Sequence, residues 1–167
     1  MKLIASIAIW IVLSASASAA DFGGVILGSQ ADARTLEKLG ITLLDPAAIS
    51  AGIHRGKTII DYIEANTEVT IDGAGRVAAL HLDFHTEYAT SILEMATKKW
   101  GKPIDSGKTF FDGHLLQIWI WDTRDGAEIT LNSYDPRIET GSLTRGSLVM
   151  VTQASANAAR GPKGGAL

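Results

Sequence analysis

Residues 77–100 read VAALHLDFHTEYATSILEMATKKW, and two different periodicities meet inside this stretch. Over Val77–Phe84 the apolar residues Leu80, Leu82 and Phe84 alternate with His81 and Asp83. A period of two puts one set on each face of a half-buried strand. From Thr86 the period changes. Tyr88, Ala89, Ile92, Leu93, Met95, Ala96 and Trp100 fall at helical spacing and cover roughly half of a helix circumference, enough to lie flat on a sheet. Thr86 is a capping residue type, Glu87 suits the positive N-terminal end, and Lys98 and Lys99 suit the last turn. Gly101 and Pro103 stop the helix. The stretch predicts a strand followed directly by a helix that covers it.

Working outward towards the N-terminus, Phe22–Leu27 reads as a first strand. Ser29 and Asp32 have capping-box spacing, Ala33, Leu36 and Leu39 follow at helical intervals, and Gly40 closes the segment, which predicts a helix over 30–39. Pro46, Gly52 and Gly56 punctuate residues 41–58, where Asp45-Pro46-Ala47-Ala48 can open one helical turn. Ile59–Ile63 and Glu68–Asp72 read as strands, with turn chemistry in Asp72–Gly75. On the C-terminal side, strands are expected at Lys108–Phe111, Leu115–Trp121, Ala127–Tyr134 and Ser147–Gln153. A Gly/Pro-punctuated loop covers 135–146. Few helices and short turns together predict an α+β, two-layer fold: a mainly antiparallel sheet with two principal helices packed on one face.

Composition narrows the function classes. The 167 residues are 46% hydrophobic and 20% charged, which suits a globular chain. A formal charge of −3 gives no basic surface for a phosphate backbone, so nucleic acid is not an expected partner. The absence of cysteine removes disulfides, thiolate catalysis and Cys-ligated metal centres. Met1-Lys2, the apolar run Leu3–Leu13 and the Ala17-Ser18-Ala19 site follow the order of a secretory signal peptide. The expected division is therefore a signal peptide at 1–19, a single domain at 20–153 and a disordered tail at 154–167, with a periplasmic or secreted mature chain. The apolar run is too short for a membrane span, so none is expected after cleavage.

The two helical segments end alike, in Leu36-Glu37-Lys38-Leu39-Gly40 and in Trp100-Gly101-Lys102-Pro103, each ahead of antiparallel strands. In this the chain resembles small exported bacterial domains of the type of β-lactamase inhibitory protein and the outer-membrane assembly lipoprotein BamE. The matching residues, Gly28-Ser29 through Gly40 and Trp100 to Pro103, make up under one fifth of the chain. The lipobox cysteine of one branch and the disulfides of the other are missing. The resemblance implies a protein-binding module without catalysis.

Among chemical motifs, Gly56-Lys57-Thr58 ends like a phosphate loop, but position 51 is Ala where the first glycine belongs, and an exported protein meets no nucleoside triphosphate pool. His81, Asp83 and His85 share a strand face, so they are candidate metal ligands, with His114 or His54 to complete a tetrahedral set. The competing reading is a solvated strand face. No Gly-x-Ser-x-Gly occurs, and the carboxylates Asp122, Asp125 and Glu128 fall at a turn. In Leu115–Trp121, Trp119 and Trp121 alternate with Ile118 and Ile120, so both faces are apolar. Plain core explains this; so does a binding face of Gln117, Trp119 and Trp121, or a second copy covering the strand in a homodimer. The expected function is an exported, non-catalytic protein-binding module of the inhibitor, immunity or envelope-assembly kind. Its partner would be another envelope or secreted protein, and no cofactor is called for. The alternative is a metal-dependent periplasmic hydrolase using His81, Asp83 and His85.

Overall fold

The computed structural model describes residues 21–45, 49–111, 113–123, 126–134 and 145–160. The expected signal peptide, residues 46–48 of the single helical turn and most of the 135–146 loop lie outside them. The chain runs β1 (Asp21–Phe22), β2 (Val25–Ile26), α1 (Ala33–Lys38), β3 (Gly52–Ile60), β4 (Ile63–Ile71), β5 (Val77–His85), a 3-10 turn (Thr86–Tyr88), α2 (Ala89–Trp100), β6 (Asp105–Phe111), β7 (His114–Asp122), β8 (Glu128–Tyr134), β9 (Arg145–Val151) and α3 (Gln153–Arg160). β1 and β2 form a small hairpin. The other seven strands form one sheet in the order β3-β4-β5-β9-β8-β7-β6, antiparallel at every pair.

The expected antiparallel sheet is present, but the α+β class with two principal helices is overturned. Among the described residues the molecule is mostly β, with strand residues outnumbering helical ones more than two to one and three short helices. The difference arises in residues 52–60. Their glycines look like breakers, yet they form the nine-residue edge strand β3. A Cβ on Gly56 would lie 2.5 Å from the Gly40 carbonyl carbon and oxygen, so glycine there lets the end of α1 rest directly on the strand. Ile59–Ile63, expected as a strand, crosses the two-residue turn between β3 and β4. Asp61 and Tyr62 have φ of 46° and 71°, the paired positive values of a hairpin turn.

Smaller corrections have equally local causes. The 22–27 run folds on itself at Gly23-Gly24 to give β1 and β2. Helix α1 begins at Asp32, not Ser29: the Thr35 amide donates to the Asp32 carboxylate at 3.0 Å, while the Ser29 hydroxyl donates to the Ile26 carbonyl. Thr86 does not cap α2. It is buried, its hydroxyl sharing a 2.8 Å hydrogen bond with Ser133 and lying 3.0 Å from the Tyr134 carbonyl, which ties the start of the helix to β8. Part of the expected disordered tail is helical. α3 follows Thr152, whose side-chain oxygen accepts from the Ser155 amide at 3.3 Å, a local cap for an alanine-rich segment.

One core holds these elements. Leu80, Leu82 and Phe84 of β5, Ile129 and Leu131 of β8, and Leu148 and Met150 of β9 all point to the same sheet face and are buried. Leu36 and Leu39 from the α1 region and Ile92 and Ala96 of α2 close over them. The buried Thr67 hydroxyl donates to the Leu39 carbonyl at 2.8 Å, fixing the end of α1 to β4. Both α1 and α2 therefore cover the same face of the sheet.

Candidate functional site

The register decides which way each strand presents its side chains. In β7 the odd positions Trp119 and Trp121 stand opposite the core residues Leu131 and Ile129. Trp121 is 1% exposed, its Nε1 donates to the Gly101 carbonyl at 2.9 Å, and its ring meets Trp100 at a centroid distance of 6.2 Å. Trp119 packs half-buried against the same core, and Gln117 is half-buried beside it. The strand face holding Gln117, Trp119 and Trp121 is thus the face turned to the helices, and Trp121 is a core residue with a satisfied N–H.

The even positions of β7 face the other way. Following the register across the sheet, Ile120, Thr130, Val149, His81, Glu68 and Arg55 form one row. Ile118, Asn132, Ser147, Asp83, Asn66 and Lys57 form the next. Leu116, Ile118, Ile120 and Val149 are half-buried by their neighbours and belong to no part of the core cluster. This second face is graded: apolar along β7, uncharged over β8 and β9, where Val149 stands among Thr130, Asn132 and Ser147, and ionic over β5, β4 and β3. On the ionic side the Arg55 Nε donates to Glu68 at 2.6 Å, and this hydrogen bond holds the Glu68 carboxyl below its ordinary pKa.

The proposed metal ligands do not converge. His81 Nε2 lies 3.1 Å from Asp83 Oδ1, the two side chains facing each other along the strand. His85 Nδ1 instead approaches Glu87 at 3.4 Å. His114 packs edge-on against Tyr134, and His54 Nε2 is 2.8 Å from the Ser50 carbonyl. Among the described residues no group of three His, Asp or Glu side chains is placed to hold a metal ion. Gly56-Lys57-Thr58 lies within edge strand β3 and leads into a hairpin, not into a helix N-terminus that could receive phosphate.

At one end of the sheet, where β5 meets the 3-10 turn, a cleft of about 1020 Å³ opens between α1 and Tyr88. Phe84, Ala65 and Ile59 supply apolar surface, and its charged lining is mixed, with Lys38, Lys57 and Arg145 against Glu37, Glu64, Asp83 and Glu87, and with His85 beside Glu87. Such a lining suits polar contacts of either sign.

Periodicity leaves the two readings of β7 open because both parities are apolar, and the structure places the Trp119 and Trp121 parity on the core side. The tryptophans carry the larger apolar area, and that area went to the core. The usable signal was in β5, where the polar parity of His81 and Asp83 marks the solvent side and antiparallel pairing carries it across the sheet to Ile118 and Ile120. Comparison with protein-family models, curated proteins and solved structures gave no match.

Proposed function

We propose that this protein is an exported, non-catalytic binding module whose partner, another envelope or secreted protein, docks on the side of strands β7, β9 and β5 opposite α1 and α2. The observation that carries this reading is the graded face itself. Leu116, Ile118, Ile120 and Val149 lie outside the core, beside the ionic row of His81, Glu68 and Arg55. An apolar strip that grades through uncharged residues into a charged row suits a protein interface, where a few desolvated side chains supply most of the affinity and the charges set orientation. The signal-peptide pattern of residues 1–19 supports an envelope or extracellular partner.

The test couples capture to stability. Mature protein immobilised in envelope extract should retain one partner at a stoichiometric ratio. A double variant with Ile118→Asp and Val149→Asp should lose that partner while remaining folded, its far-UV circular dichroism unchanged. Equal retention by both proteins would overturn the docking face. N-terminal sequencing checks the other half: a periplasmic chain beginning at Ala20 is expected, and a cytoplasmic chain beginning at Met1 would contradict export.

A further inference from the structure

The sheet has two ends, and they differ in what a second strand would meet there. β3 and β6 each have a neighbour on one side only among the described residues. Such an edge presents a row of backbone N–H and C=O groups to any strand that can reach it. β6 is exposed from Asp105 to Phe110 and is flanked by two of the most exposed large apolar residues, Ile104 at 67% and Phe110 at 75%. Ile104 is itself tied to the sheet, its amide donating to the Ile120 carbonyl at 2.8 Å.

We propose that β6 is the interface of a symmetric dimer of this chain, formed by antiparallel β6–β6 pairing about Gly107. Two identical edges can pair antiparallel only about a two-fold axis normal to the sheet, so the strand centres on one residue facing its own copy. With Gly107 at the axis, Ile104 lies opposite the partner's Phe110, and the symmetric contact repeats it. Ser106 then faces the partner's Lys108, and Asp105 faces the partner's Thr109. Both exposed apolar residues gain a cross-strand apolar neighbour, and no like charges oppose each other. Moving the axis to Lys108 would set two ammonium groups face to face.

The other edge fails the same test. β3 centred on Gly56 would align Ile53 with the partner's Ile59, but it would also put Arg55 against the partner's Lys57 twice. Charge thus blocks one edge and leaves the other free, which yields a closed dimer and not an open-ended sheet. Because the axis is normal to the sheet, the dimer would also join the graded faces of both copies into one surface. This inference stands on the edge strands and is independent of the partner proposed for that face.

Light scattering on the mature wild-type chain should give the mass of two chains, falling to one on dilution. Phe110→Lys, at an exposed position, should raise the dimer Kd roughly tenfold or more without shifting Tm. The chain has no cysteine, and a Cβ at Gly107 meets nothing within 4 Å, so Gly107→Cys offers a clean probe of the axis. It should form an interchain disulfide on mild oxidation, whereas Asp105→Cys, whose own copy lies four residues further along the paired strand, should not. A single-chain mass for wild type at every concentration, an unchanged mass for Phe110→Lys, or equal cross-linking through Asp105→Cys would each overturn the proposal.

Discussion

Tyr62 carries a large aromatic ring in a conformation that costs a side chain energy. With φ of 71° and 95% of its surface exposed, it contributes backbone strain to the β3–β4 hairpin and almost no burial. Tyr62→Gly removes the strain and loses little packing, although glycine also gives the unfolded chain more freedom. The net expectation is a gain of about 0.5–1 kcal/mol, read as a higher urea midpoint with an unchanged slope. A loss of stability would mean that the ring makes a contact the hairpin needs. At this scale the sequence misleads in a consistent way. Asp61 and Tyr62 are not the Asn-Gly pair that announces a hairpin, and Gly56 resembles a breaker. Its purpose, room for the Gly40 backbone, depends on a residue in another element.

Among the elements, α2 and β5 are the most legible in the sequence, whereas α3 is not. The apolar arc of Thr86–Trp100 places Ile92 at its centre, and Ile92 is 2% exposed in the core beneath α2. Ile92→Ala should cost about 2–5 kcal/mol, whereas Thr90→Ala on the exposed side should stay within about 0.5 kcal/mol. Equal costs in denaturant unfolding would contradict the way α2 sits on the sheet. The alternation in β5 was equally readable, because only one of its parities is apolar. In β7 both parities are apolar, so periodicity alone could not orient the strand. Its facing depends on the register with β8, a pairing between separate stretches of chain that no local pattern encodes.

At the scale of the whole molecule, strand order escaped the sequence more than strand existence did. β9 inserts between β5 and β8, so two meanders, β3-β4-β5 and β6-β7-β8, approach it from opposite sides and merge into one sheet. That merger is what aligns the rows from Ile120 to Arg55 and from Ile118 to Lys57. The candidate site is consequently only half legible: its polar part, His81 and Asp83, is visible on β5, while both parities of β7 are apolar and leave its apolar part undecided. The central claim is that α1 and α2 cover one face while the Ile118 and Val149 face stays open to a partner. Thiol labelling tests this most directly, since the chain has no cysteine of its own. Single variants Ile118→Cys and Leu131→Cys place one thiol on each face, Leu131 being fully buried. The account predicts that native Ile118→Cys reacts readily with a maleimide, while Leu131→Cys reacts only as fast as the domain unfolds. Equal protection of the two thiols in the folded, monomeric protein would contradict it.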